Sequence, residues 1–232
     1  FEAVYMTGSG VSISRLGVPD FALLSFTEVL DQAKRIADVT NLPVIADADT
    51  GYGGALNVVR TVREMERAGI AAIQIEDQQW PKRCGHEPGR QLVSTAEMVG
   101  RIKAAVDARV DPALVIVART DARSDHGIDA ALERAHACRE AGADVIFVES
   151  PESTDEMRRV VAEAGAPALS NQVEGGRTPM LPAAELQALG ASSPTACSTT
   201  AGSGTCSITR RSSRRKTATR GTETRPPGWA DD

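Results

Sequence analysis

The feature that most constrains this chain is an alternation. Short apolar runs at 4–6, 43–48, 72–76, 114–118, 145–148 and 167–170 are separated by longer amphipathic stretches. The repeat is about 30 residues, the length of one strand–helix–strand unit. The short runs are rich in Val, Ile and Ala and show no polar alternation. Such runs suit parallel strands covered on both faces. Between them, 27–39, 54–68, 127–141 and 183–189 carry apolar residues at helical spacing. Ser94 with Glu97, and Ser153 with Glu156, match the helix capping box. Gly69, Gly142 and Gly165 each follow an Ala where a helix has to stop. The pattern predicts a parallel α/β protein of the (β/α)8 barrel type.

Six strands are visible where a closed barrel needs eight, so the barrel is expected to be incomplete. The chain opens on Phe1-Glu2-Ala3 without an initiator Met or a signal peptide, and a strand is expected to be missing before it. After Gly190 the composition changes. Residues 191–232 hold seven Ser, nine Thr and a single large aliphatic residue, Ile208. Too little apolar surface is present there to offset the entropy of ordering. The expectation is a partial barrel over 1–190 and a disordered tail over 191–232. The onset of that tail also has the look of a shifted reading frame.

The same tail carries seven basic residues against three acidic ones, within a whole-chain net charge of −5. The body is therefore acidic, which argues against nucleic acid as its ligand. The short basic run at 210–216 has no interleaved aromatics. No apolar run nears the roughly 18 residues of a membrane span. Four cysteines without a CxxC pair fit reduced thiols in a cytoplasmic protein.

Barrel enzymes carry their chemistry at the C-terminal strand ends. Here those ends read Thr7-Gly8-Ser9-Gly10, Asp47-Ala48-Asp49, Glu76-Asp77, Arg119-Thr120-Asp121, Glu149-Ser150 and Asn171. Six polar strand ends in a row are hard to explain as core. Asp47 and Asp49, two apart on a strand, would face one side, with Glu76 on the next strand end. Hard oxygen donors of this kind suit Mg²⁺. The competing explanation is a solvated turn, since Gly51, Gly53 and Gly54 follow. Lys82-Arg83-Cys84-Gly85-His86 lies just beyond Glu76, bounded by prolines. Cations beside a thiol make it a usable acid or nucleophile. An ordinary basic loop with an incidental Cys is the alternative. Gly8 and its neighbours form either a backbone anion site or a plain turn. Arg119, at the end of a very apolar strand, needs an anionic partner: a substrate carboxylate or an acid of the chain. His136 and Cys138 fall mid-helix and are taken as structural, and His126 as part of a loop.

The stretches MTGSG, LGVPD, PVIADADTGYGG, IEDQQWPKRCGH, VARTDAR, GADVIFVES and NQVEGGRTP, in this order across residues 4–190, resemble the isocitrate lyase / phosphoenolpyruvate mutase superfamily. The similarity is greatest to small members that cleave 2-methylisocitrate or 2,3-dimethylmalate, or that form a C–P bond from carboxyphosphonate. The resemblance implies an Mg²⁺-dependent carbon–carbon lyase acting on a 2-hydroxy di- or tricarboxylate. It implies that Asp47 and Asp49 hold Mg²⁺, with Glu76 contributing through water. Thr7, Gly8, Ser9, Asp20, His86, Glu149 and Asn171 would surround the substrate. Lys82, Cys84 and Arg119 would be catalytic, Cys84 as general acid on a gating loop. It further implies a homo-oligomer, tetrameric in relatives, with no nucleic-acid or membrane partner. A phosphonomutase activity is the rival expectation, and an inactive remnant a third.

Overall fold

The computed structural model describes residues 2–85, 89–191 and 193–197, the last stretch as backbone only. Seven strands and seven helices are found among them, in strict alternation except for one extra helix. They are β1 (Val4–Met6), α1 (Gly8–Leu16), α2 (Phe26–Val39), β2 (Val44–Asp47), α3 (Ala55–Arg67), β3 (Ala72–Glu76) and α4 (Thr95–Ala108). Then follow β4 (Val115–Thr120), α5 (Arg123–Glu140), β5 (Val145–Val148), α6 (Thr154–Glu163), β6 (Ala168–Val173), α7 (Ala183–Ala188) and β7 (Ser193–Cys197). Each strand pairs in parallel with the next, giving one sheet in sequence order. This is the arrangement of an incomplete (β/α) barrel: no pairing joins β7 back to β1 among the described residues.

Period-two burial divides each strand between two cores. Val44, Ala46, Ile73, Ile75, Ile116, Ala118, Ile146 and Val148 pack outward against Val58, Val62, Met65, Met98, Ile102 and Leu132 of the helices. Ile45, Ala72, Val115, Val117, Val145, Phe147 and Leu169 fill the inside of the curved sheet. Both faces being apolar explains why the strands read as continuous runs.

Several expectations need correction. Thr7-Gly8-Ser9-Gly10 is not a turn but the start of α1. Thr7 is its N-cap, its hydroxyl accepting from the Gly10 N–H at 2.8 Å. The glycines and the β-branched Val11 and Ile13 hide this helix, since both types lower intrinsic helix propensity. Of the capping boxes, the complete one is Ser25 with Glu28, where the Ser25 N–H donates back to Glu28 at 2.8 Å. At Ser94 and Ser153 only the serine half forms, because Glu97 turns to Arg101 and Glu156 to Arg123. His126 lies in the first turn of α5, just before a break at Gly127 (φ 82°, ψ 171°), rather than in a loop. β6 continues past Asn171 to Val173. β7 falls inside the stretch taken as tail. Parallel pairing uses backbone groups, so it forms at 193–197 without the long apolar side chains that mark the other strands. The remaining tail positions lie outside the described residues.

Candidate active site

The C-terminal strand ends surround one cleft. Thr7, Ser9, Asp20, Asp47, Lys82, Cys84, Arg119, Glu149 and Asn171 line it. Most of the residues anticipated from the sequence therefore meet. Glu76 sits behind the wall, against Arg119. His86 lies outside the described residues.

Asp47 closes β2, but Asp49 does not share its strand. It has left the ladder with φ 49°, a left-handed conformation that costs a non-glycine residue about 1 kcal/mol or more. The two carboxylates converge all the same, on Gly8. A Cβ on Gly8 would lie 3.1 Å from Asp49 Oδ1, 3.2 Å from Asp47 Oδ2 and 3.4 Å from Lys82 Nζ. The Gly8 N–H donates to Asp47 Oδ2 at 3.2 Å and the Asp49 N–H to Asp47 Oδ1 at 3.0 Å. A side chain at position 8 would crowd this cluster, pushing the carboxylates back by a few tenths of an ångström.

Lys82 is buried and bridges Asp20 at 2.5 Å and Asp49 at 2.7 Å. Burial works against its charge, yet Asp49, Glu76, Asp47 and Asp20 outweigh it and hold the ammonium well above its usual range. In the metal-free protein these carboxylates hold Lys82 as a cation. Gln78 anchors the backbone beside it: its amide donates to the Arg83 carbonyl at 2.9 Å and accepts from the Arg83 N–H at 3.0 Å. Cys84 is partly buried and in no disulfide.

Arg119 finds its anions within the chain. Its guanidinium forks onto Asp121 with two 2.9 Å hydrogen bonds, reaches Glu149 at 3.2 Å and Glu76 at 3.4 Å, and stacks 5.1 Å over the Phe147 ring. Asp121 and Asp77 were visible as polar strand ends, but their roles were not. Asp77 accepts from the Thr120 hydroxyl at 2.7 Å, the Asp121 N–H at 2.9 Å and Arg134 at 3.1 Å. Ser150 was likewise visible only as a polar strand end, and Arg90 was missed. Ser150 is buried with φ 58°, and its hydroxyl donates to the Gly85 carbonyl at 3.4 Å. Residue-by-residue reading carries no signal for such partnerships, which join strands far apart in the chain.

Around the cleft, six carboxylates (Asp20, Asp47, Asp49, Glu76, Asp121, Glu149) face three cations (Lys82, Arg90, Arg119) among the described residues. The excess shows in the acids. Burial pushes Asp49 up to about 6, against the pull of Lys82 and with help from Asp47 and Asp20. Burial also lifts Glu76 well above the carboxylate range, opposed by Arg119 and Lys82. Both Glu76 oxygens are buried without a hydrogen-bond partner among the described residues. Such a set of hard oxygen donors, short of positive charge, fits a divalent cation such as Mg²⁺. Direct binding by three side chains is not the arrangement: no three His, Cys, Asp or Glu among the described residues gather closely enough for that. Mg²⁺ commonly needs only one or two carboxylates and keeps its waters.

The Asp49 value gives a prediction for the metal-free protein. An acid raised from 3.8 to about 6 on folding binds more protons folded than unfolded between those values. Stability from this group is therefore lost as pH rises through that window. The Asp49→Asn variant should gain on the parent between pH 4 and about pH 6 and run parallel to it above. Urea melts in a chelator across this range would show it; a constant offset between the two proteins would contradict the assignment.

No helix among the described residues is long and apolar enough to cross a membrane. A profile of the family described as phosphoenolpyruvate phosphomutase matches residues 1–203. The chain is 60% identical over 190 residues to the 2,3-dimethylmalate lyase of Eubacterium barkeri, covering 82% of this chain and 66% of that protein. It is 49% identical over 191 residues to a 2-methylisocitrate lyase of Shewanella oneidensis, covering 82% and 65%. It thus spans just under two thirds of the length of these relatives. Its fold superposes on a crystal structure of 2,3-dimethylmalate lyase with a TM-score of 0.80 at 44% identity, covering 82% of this chain and 64% of that one. It also superposes on phosphonopyruvate hydrolase in complex with oxalate and Mg²⁺, with a TM-score of 0.72 at 34% identity, covering 82% and 66%. The strand ends, the acid-rich cleft and these matches agree, and the chain belongs to the phosphoenolpyruvate phosphomutase family of the PEP mutase/isocitrate lyase superfamily.

Proposed function

We propose that this chain carries the site of an Mg²⁺-dependent carbon–carbon lyase acting on a 2-hydroxy di- or tricarboxylate. The observation that carries the reading is a partly buried thiol, Cys84, sharing one cleft with Asp47, Lys82 and Arg119. The name of the relative from Eubacterium barkeri supports it. Residues 1–190 are the catalytic unit in this proposal, and the native state is a homo-oligomer.

Asp47 and Asp49 would hold the metal, with Glu76 acting through water. When bound, Mg²⁺ would lower the pKa of the substrate hydroxyl and steady negative charge on its oxygen. The chain's own residues do the rest. The N-terminus of α1 would offer the Ser9 hydroxyl and N–H and the positive end of the helix to a substrate carboxylate, the Gly8 and Gly10 N–H groups being taken by Asp47 and Thr7. Lys82 and Arg119 hold fixed positive charge in the same cleft, with Glu149 beside Arg119 and Asn171 beside Glu149. As the C–C bond breaks, a carboxylate of the cleft takes the hydroxyl proton, the hydroxyl-bearing carbon becomes a carbonyl, and the bonding pair stays on the carbon next to the departing carboxylate. Cys84 supplies the proton that this carbon needs, as a general acid.

The test is release of pyruvate or glyoxylate from a panel of 2-hydroxy dicarboxylates, with Mg²⁺ and then with a chelator. Turnover lost in the chelator and restored by Mg²⁺ is the expected result. A phosphonomutase is the second reading, favoured by the family description that matches the chain. Turnover of phosphonopyruvate alone would select it. Silence on both substrate classes would sink both readings and leave an inactive remnant.

A further inference from the structure

Arg90 lies outside the cleft, and the lyase reading gives it no task. Its side chain is fully buried. One nitrogen, Nη1, donates both to the Gly85 carbonyl and, at 2.9 Å, to Asp121 Oδ1. The other two, Nε and Nη2, have no hydrogen-bond partner among the described residues. A buried guanidinium so poorly satisfied is a weak source of stability, and an apolar side chain of similar length would fill the space at less cost.

Its partners indicate what it does. Asp121 Oδ1 also accepts from Arg119 Nη2 at 2.9 Å, so one oxygen ties the cleft arginine to the buried one. Asp121 is itself fixed to β3 through its N–H and Asp77. At the other end, Gly85 lies against the Arg119–Glu149 pair of the site. A Cβ there would collide with Arg119 and with Glu149. The Gly85 carbonyl is held from one side by Arg90 and from the other by Ser150. Cys84 is the next residue along the chain, inside the cleft.

We propose that Arg90 is a positioning residue that fixes the backbone at Gly85, and with it the Cys84 thiol, in register with Arg119 through the shared carboxylate of Asp121. This rests on the lyase reading for its catalytic consequence, but not for its structural one. Misplacing a reacting group by about 1 Å costs on the order of 100-fold in rate.

The test uses the full chain with Arg90→Met and Arg90→Lys, kept well below their melting temperatures. The first readout is the rate of alkylation of Cys84 by iodoacetamide, followed peptide by peptide to separate it from the other cysteines. It should change by about five-fold or more in Arg90→Met, with Arg90→Lys between the two, because thiol reactivity follows its surroundings. The second readout is steady-state kinetics. There kcat should fall by about 10- to 100-fold while KM stays within about three-fold. If the methionine variant does not fold, the lysine variant decides. Alkylation rates within about two-fold of the parent would overturn the proposal. So would a changed alkylation rate with kcat intact. Alkylation needs no turnover, so failure of the lyase reading leaves the coupling of Arg90 to Cys84 still measurable.

Discussion

Replacing Lys82 by methionine should abolish turnover and lower the unfolding free energy by about 3–5 kcal/mol, the cost of stripping one partner from a buried ion pair. Methionine matches the lysine stem in length and can fill its channel, so the loss reports charge rather than a cavity. Asp20 and Asp49 each lose their cation, at 2.5 Å and 2.7 Å. Burial already pushes Asp49 up to about 6 with Lys82 pulling it down. Without that pull it rises further and takes up a proton near neutrality, so part of the penalty appears as proton uptake. Denaturant melts at pH 7 in a chelator, with net proton uptake followed by titration, would measure both effects. A loss under about 1 kcal/mol would mean that the ammonium is solvated and the cluster is not the buried one described.

Cys84→Ala should show the opposite division. The thiol is only partly buried, so stability should change by no more than about 0.5 kcal/mol. Turnover should fall by about 10²–10⁴-fold, the usual contribution of a positioned acid. Product analysis makes the prediction sharper. With the thiol as acid, the departing carbon should be protonated on one face, and in D₂O its deuterium should enter with one configuration. Without it, solvent must deliver the proton and that stereochemistry should be lost. Retained configuration with a modest rate loss would transfer the acid role to another group.

The fold was largely legible. β1, β3 and β5 occupy the expected residues, because strands buried on both faces leave unbroken apolar runs. The helix at Gly8 was not, because its signal is one cap hydrogen bond from Thr7 against two glycines. β7 was missed because its pairing is carried by the backbone. In the site, acids at strand ends could be found from position alone. What position could not give was Asp49 leaving its strand, since its left-handed backbone is set by where the chain must go next. Nor could it give the shared carboxylate of Asp121. A spacing rule sees one element at a time, whereas Arg90, Asp121 and Arg119 are joined only after β3 and β4 are side by side.

The reach of Lys82 has a consequence for how the protein is made. It pairs with Asp20, 62 residues earlier in the chain. A ribosome adding about 5–20 residues each second leaves Asp20, and for a shorter time Asp47 and Asp49, without that cation for several seconds. During this interval the acids repel one another and stay hydrated, so the first βα units cannot dry out and lock. This corner of the cleft therefore cannot set before Lys82 emerges, and a polypeptide released earlier should remain open where the finished one is closed.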